Sequence, residues 1–251
     1  MIDKIKQKLK SLYYHLAYKN PYEFMLKNLG WKHNRNYWEK NGIKFKHLYN
    51  AINETFEEKQ WDFLSVQNKS VLDIGAFIGD SPIYFILKGA KKGYAIEPHP
   101  YVYNEMLENI KLNNMEDKII PINMGISYEK DYIIIPKGKI NIEGSLFRPK
   151  GNGIKVPAGK LSDIIDKYNI DAQVLKMDCE GCEYNVILKD YDTIKEFDEI
   201  GFEYHAYNTK IPVNKLLEKL NKDFECKFIW NWTDKDWPEG KLGILYCIRK
   251  R

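Results

Sequence analysis

Val71-Leu72-Asp73-Ile74-Gly75-Ala76-Phe77-Ile78-Gly79-Asp80 is the stretch on which the fold of this chain turns. An apolar run carrying one acid is followed by two glycines with three residues between them, then by an amphipathic segment from Pro82 to Leu87. The pattern predicts strand, tight turn and helix, the opening unit of a nucleotide-binding α/β domain. The next apolar run, Gly93-Tyr94-Ala95-Ile96, ends on Glu97, eighteen positions after Gly79. A carboxylate there can accept two hydrogen bonds from ribose hydroxyls. The glycine spacing is not G-x-G-x-x-G. A dinucleotide needs backbone N–H groups packed around a pyrophosphate, whereas a ligand without phosphates needs only an open turn. Asp-x-Gly-x-x-x-Gly with a strand-end Glu therefore favours S-adenosylmethionine over NAD. Without Glu97 the glycines would mark no more than a turn between strand and helix.

From Ser70 onward the apolar pattern alternates regularly. Strands are expected at Val71–Ile74, Gly93–Ile96, Lys118–Asn123, Gln173–Met177, Glu199–Glu203, Cys226–Trp230 and Gly243–Ile248. Helical spacing separates them at Pro82–Lys88, Tyr101–Asn113, Leu161–Tyr168, Asn185–Asp190 and Val213–Leu220. Strands alternating with helices imply a mainly parallel sheet with right-handed crossovers. The last two strands have only turn residues between them, so they are expected to form an antiparallel hairpin. Residues 128–160 break the rhythm with short β-prone pieces (Tyr132–Pro136, Lys139–Ile142, Ser145–Phe147, Ile154–Val156), read as one or two inserted hairpins. Residues 1–60 form a separate helical segment, and 61–251 the α/β domain. Ile2, Ile5, Leu9, Leu12, Tyr13 and Leu16 recur at helical spacing, a second helix covers Leu48–Phe56, and the aromatic stretch between Pro21 and Asn50 fits no period.

Composition narrows the function class. Hydrophobic content of 44% and charged content of 29% over 251 residues suit a globular protein with a real core. Net charge is +4, yet arginine occurs only at Arg35, Arg148, Arg249 and Arg251. Bidentate recognition of phosphates and bases recruits arginine, so a dedicated nucleic-acid surface is disfavoured. No run approaches the roughly 18 apolar residues of a membrane span, and the amino terminus lacks an apolar signal region. A cytoplasmic protein is expected. Cys179 and Cys182 flank Glu180-Gly181, with Cys226 and Cys247 far downstream; reduced, buried thiols are expected rather than a zinc ribbon or a redox pair.

In open α/β sheets, ligands bind at the carboxyl ends of the strands. That edge brings together the turn residues Asp73, Gly75, Ala76, Phe77, Gly79 and Asp80, then Glu97 and Pro98, Asn123 and Met124, and Asp178 as expected cofactor contacts. The same edge carries two notable clusters, Lys176 with Asp178 and Glu180, and Glu203 with His205. Lys176, Asp178 and Glu180 alternate onto one side if the extended backbone persists. A lysine inside an apolar strand needs a partner, expected from Asp178, Glu180 or Glu203; a bracing ion pair and a catalytic role remain open for it. His205 is the expected general base, with Asp178 or Glu180 as the second choice.

Four strings carry a family resemblance. Asp73-x-Gly75-Ala76-x-x-Gly79-Asp80, Ala95-Ile96-Glu97-Pro98-x-Pro100, Leu175-Lys176-Met177-Asp178-Cys179-Glu180-Gly181-Cys182-Glu183 and Glu203-Tyr204-His205 resemble the FkbM family of S-adenosylmethionine-dependent methyltransferases. The resemblance covers about residues 69–206 and implies a Rossmann-like class I methyltransferase fold: a mainly parallel seven-stranded sheet closed by an antiparallel hairpin. It further implies methyl transfer, usually to oxygen, on a sugar, glycan or small-molecule acceptor. Asp73, Gly75, Gly79 and Glu97 would then contact the cofactor, and Asp178, Glu180 and His205 the acceptor. Phe77 departs from the Asn frequent in the family. No residue is assigned as a metal ligand; Mg²⁺ on the acids ending strands four and five is the less favoured alternative. Glu97 to Ser127, with Asn109–Asn113, also resembles tRNA methyltransferases. Against an RNA acceptor, Asp178-Cys179-Glu180-Gly181 stands where base-nitrogen methyltransferases carry a Pro-Pro-aromatic string. A non-catalytic binding protein on the same fold is the third reading. Oligomeric state is not legible.

Overall fold

The computed structural model describes residues 21–137 and 153–250, and the chain divides into two compact units, residues 1–59 and 60–251. In the first unit, helix α1 (Pro21–Asn28) places Glu23 in its first turn and Lys27 in its last, paired at 2.8 Å. That arrangement follows the helix dipole. Three short strands, β1 (Lys32–Asn34), β2 (Tyr37–Lys40) and β3 (Ile43–Phe45), then form an antiparallel meander. Asn41 and Gly42, both at positive φ, make the hairpin turn between β2 and β3. The meander occupies the aromatic stretch that fits no period, and it buries Trp31, Trp38 and Phe45. A single helical turn, α2 (Asn50–Ile52), runs into a π-helical turn at Asn53–Glu57, where the sequence predicts one continuous helix. Glu57 there accepts from Trp31 Nε1 and Lys40 Nζ. The amphipathic pattern at Ile2–Leu16 lies outside the described residues.

The second unit is built on a seven-stranded sheet. Along the chain come β4 (Ser70–Ile74), α3 (Asp80–Leu87), β5 (Lys92–Ile96), α4 (Pro100–Leu112) and β6 (Ile119–Ile122). After β7 (Gly125–Ile126), β8 (Tyr132–Pro136) and β9 (Gly153–Gly159) follow α5 (Leu161–Tyr168), β10 (Val174–Met177), α6 (Cys182–Lys189) and α7 (Tyr191–Ile194). The chain closes with β11 (Glu199–His205), α8 (Ala206–Thr209), α9 (Asn214–Leu220), β12 (Phe224–Trp232) and β13 (Leu242–Arg249). The sheet order is β12-β13-β11-β10-β4-β5-β6. β6, β5, β4, β10 and β11 are parallel, and β13 runs antiparallel to both β11 and β12. This is the Rossmann-like α/β layout expected, with the terminal hairpin folded so that β13 lies inside β12. The strand order reverses between β4 and β10, which sets the ligand crevice above their carboxyl ends.

Every residue of β10 is buried, as are the last four of β4 and of β5. Strands covered on both faces read as continuous apolar runs. Leu72, Leu175, Ile200 and Phe202 are fully buried within one core cluster, and burial of each contributes about 1.5–3 kcal/mol. At the amino end of β11, buried Glu199 accepts from Ser65 N–H, Tyr246 Oη and Lys69 Nζ, so that acid is structural. The insertion pairs β8 antiparallel with β9, and β7 parallel with β9. The β-prone pieces at 139–142 and 145–147 lie outside the described residues.

The cysteines correct the expectation of free thiols. Cys179 is bonded to Cys182 and Cys226 to Cys247. Cys226 and Cys247 are direct partners in the β12–β13 register, and Cys179 and Cys182 bracket the turn after β10. Sequence spacing does not show the Cys226–Cys247 juxtaposition, the Cys179–Cys182 bond is the pairing set aside in favour of free thiols, and the cysteine argument for a reducing compartment falls with them. Among the described residues no helix is long and apolar enough to cross a membrane.

Candidate active site

The glycine turn is held from below. Gly75 and Ala76 donate their N–H groups to the Ile96 carbonyl at 3.0 Å, which ties the turn to the end of β5. Gly75 has φ +83°, and a Cβ there would meet the Asp178 carbonyl oxygen at 1.9 Å. Only glycine lets β4's exit lie this close to β10's exit. Phe77 also sits at positive φ, a conformation a bulky side chain adopts only under constraint. Its N–H donates to Glu97 Oε2 at 3.1 Å, and His99 N–H donates to Oε1 at 2.7 Å. Burial pushes Glu97 up to about 8, while these two donors and Lys176 pull it down. Each carboxylate oxygen keeps a lone pair for a hydroxyl.

Beneath the turn lies a buried ion pair. Lys176 Nζ is 2.9 Å from Asp73 Oδ1 and donates to the Gly75 carbonyl at 2.9 Å. Ser81 Oγ donates to Asp73 Oδ2 at 2.6 Å. The partner of Lys176 is thus Asp73, its β4 neighbour in register, and not Asp178, Glu180 or Glu203. The lysine points at the adjacent central strand before the strand-end acids are reached. Burial works against its charge, but Asp73 and, further off, Asp178 outweigh that and raise its pKa. Lys176 and Asp73 are nearly inaccessible and brace the glycine turn.

On the other side of the crevice, β10 ends at Met177 and the extended backbone does not persist to Glu180. Glu180 and Gly181 both take positive φ and turn the chain into α6. The turn brings α6's Glu183, fully buried, to His205: Glu183 Oε1 lies 3.2 Å from Nδ1. The same oxygen accepts Cys179 N–H at 2.9 Å. Glu180 Oε2 is 3.7 Å from His205 Nε2 and accepts from Asn208 Nδ2 at 3.2 Å. Burial disfavours the imidazolium, yet Glu183, Asp178 and Glu180 outweigh it and hold His205 up at about 10. Burial also raises Glu180, against His205.

Of the remaining expected contacts, Gly75, Phe77, Pro98, Asn123 and Asp178 are half-buried, whereas Ala76, Gly79, Asp80 and Met124 are buried. Asn123 Nδ2 donates to the Glu97 and Pro98 carbonyls and so fixes the end of β5. Met124 packs in the core. Glu183, Ser81 and His99 escape the sequence reading. Glu183 follows Asp178 by five residues, but only the turn at Glu180-Gly181 aims it at His205. His99 is 2% exposed, and its Nδ1 has no hydrogen-bond partner. In the first unit, a separate pocket of about 560 Å³ is lined by Trp31, Trp38, His33 and His47.

Residues 73–232 match the methyltransferase FkbM domain. The chain belongs to the FkbM methyltransferase family. The FkbM match opens on Asp73 and closes on the last residue of β12, so it takes in the glycine turn, Glu97 and the whole strand-end cluster. Shorter local likenesses accompany it. Over 55 residues the chain is 46% identical to the tRNA (guanine(37)-N(1))-methyltransferase Trm5b of Methanocaldococcus jannaschii, covering 22% of this chain and 16% of that protein. Over 71 residues it is 41% identical to the tRNA(Phe) (4-demethylwyosine(37)-C(7)) aminocarboxypropyltransferase of the same organism, 26% of each. Among solved structures, the M. jannaschii tRNA m1G37 methyltransferase gives a TM-score of 0.48 at 17% identity, over 87% of this chain and 59% of that one. TrmK of M. capricolum, in complex with S-adenosyl-homocysteine, gives 0.47 at 15%, over 78% and 68%.

Proposed function

We propose that this FkbM protein transfers a methyl group from S-adenosylmethionine to a hydroxyl oxygen of a sugar, glycan or other small acceptor. The observation that carries the reading is Glu97, presented at the end of β5 by two backbone N–H donors beside an open glycine turn. The donor set fits an adenosyl sulfonium and not a pyrophosphate. Lys176, the cation at the turn, is committed to Asp73, and the ionisable groups left half-buried at the strand ends include the acids Asp178 and Glu180. A carboxylate-lined edge suits the cofactor's cationic sulfur and ammonium groups.

When bound, S-adenosylmethionine supplies an electrophilic methyl group on a sulfonium. The residues of the chain must then hold an acceptor oxygen in line with it and exclude water, a positioning effect of about 7–11 kcal/mol. Both ring nitrogens of His205 face carboxylates that orient the ring, so in this reading His205 is not the first choice of base. Proton acceptance passes to Glu180, whose half-open carboxylate stands at the rim, with Asp178 behind it. A positioned base contributes about 10²–10⁴-fold. Glu180→Gln is expected to lower kcat by that order while the affinity for S-adenosylmethionine stays within a factor of two or so. An unchanged kcat on a hydroxyl acceptor removes Glu180 from this role.

An RNA acceptor is the second reading, favoured by the local identity with two tRNA-modifying enzymes. The acids Asp178, Glu180 and Glu203 at the acceptor side oppose a phosphate backbone, and arginine is scarce.

A further inference from the structure

Asp178, Glu203 and His205 each offer one ligand atom, and the three atoms lie within 4.8 Å of one another. We propose that these three residues form a divalent-cation site of Mn²⁺ or Mg²⁺ type, with its remaining positions open to water and to oxygens of the methyl acceptor. The proposal rests on the methyltransferase reading for its role but not for its existence.

The sheet places the ligands. Lys176 is paired with Gly201 and Met177 with Phe202, so one further step sets Asp178 beside Glu203. His205 lies two residues beyond Glu203, on the same face of β11. Two ligands on opposite sides of one cation are about 4–5 Å apart when each metal–oxygen bond is about 2.0–2.6 Å. The three atoms therefore reach a common ion with little rearrangement.

A group outside the ligand set supplies the second argument. Glu183, fully buried on α6, lies 3.2 Å from His205 Nδ1, which leaves Nε2 as the nitrogen on the acidic side. Metal-binding histidines generally donate their other ring nitrogen to such a carboxylate, which fixes the ring and its tautomer. Glu183 is itself anchored by Cys179 N–H, and its Oε2 has no hydrogen-bond partner. Two carboxylates and one imidazole suit a hard to borderline cation; the set lacks the thiolates that select zinc or copper(I). A cation there would lower the pKa of a bound hydroxyl, with Glu180 beside it to take the proton.

The test titrates the full chain, stripped with chelator, with MnCl₂ in the absence of any cofactor, read by calorimetry and by electron paramagnetic resonance. One saturable site is expected, with nitrogen modulation from an imidazole ligand in the wild-type spectrum. Asp178→Asn and Glu203→Gln are each expected to weaken Mn²⁺ about tenfold or more, and Glu183→Gln about 10–100-fold. Thermal melting and S-adenosylmethionine binding of each variant control for folding. Absence of a saturable site in the wild type, absence of nitrogen modulation, or affinity unchanged in folded Asp178→Asn and Glu203→Gln overturns the site. Should the metal bind while S-adenosylmethionine does not, the site stands and the methyltransferase reading fails; the reverse result fails the site alone.

Discussion

In the proposed function Glu97 carries more consequence than any other side chain, because burial favours its neutral form and ribose recognition its ionised form. Burial holds its carboxyl at about 8, above the ordinary carboxylate value of 4.5. The folded protein therefore keeps a proton that the unfolded chain has released, so Glu97 lowers stability as pH rises from about 4.5 to about 8. Two ribose hydroxyls need an ionised acceptor, so cofactor affinity should rise with pH up to about 8 and then level off. Calorimetry between pH 6 and 9 checks this: Glu97→Gln should bind weakly and without that slope, and a flat wild-type profile contradicts it. The buried pair Asp73–Lys176 gives a second test. Removing one partner leaves an uncompensated charge and is expected to cost about 3–5 kcal/mol. Asp73→Asn combined with Lys176→Met should be less damaging in denaturant melts than either change alone. An additive pair of losses argues that the two side chains do not interact. Lys176 also marks a limit of sequence reading. Its need for a partner was legible, but the acids at the strand ends, Asp178, Glu180 and Glu203, concealed the one beside it in the sheet.

Among the elements, the parallel strands and their helices were legible because each carries a full period of its pattern; α5 falls on its expected residues, Leu161–Tyr168. The β1–β3 meander was not, since strands of three or four residues are too short to show alternation. Asn41-Gly42 was the available signal for its hairpin. The Cys226–Cys247 disulfide was hidden because it depends on strand register, whereas the C-x-x-C spacing of Cys179 and Cys182 allowed a pair that the reading set aside. The glycine turn makes its own prediction. Gly75→Ala combines positive φ, a strain of about 1–3 kcal/mol, with a Cβ 1.9 Å from the Asp178 carbonyl. It should lower the melting temperature and weaken cofactor binding together. Gly93→Ala is the control, because a Cβ there meets its nearest atoms at 3.7 Å. Equal tolerance of the two substitutions contradicts the account of the turn.

At the scale of the whole molecule, a net charge of +4 coexists with a carboxylate-rich acceptor edge. A protein that bound RNA through six to ten phosphates would lose about 10³–10⁵ in affinity between 50 and 200 mM salt. Filter binding with tRNA is expected to show no saturable, salt-sensitive complex; finding one would move the acceptor to RNA. The glycine turn and its contact with Glu97 were legible because they are local, a strand, a turn and the next strand's end. The acceptor half was legible only as a set of residues. His205 is the base expected from sequence, and the turn at Glu180-Gly181 sets Glu183 against its ring, a contact that no spacing shows.

The most direct measurement is calorimetric titration of the full chain with S-adenosylmethionine, set against NAD, for the wild type and Glu97→Ala. Saturable one-to-one binding of S-adenosylmethionine is expected, absent for NAD and weakened about tenfold or more by the substitution through loss of two charged hydrogen bonds. No heat with S-adenosylmethionine, preference for NAD, or an unchanged affinity in Glu97→Ala would contradict the account.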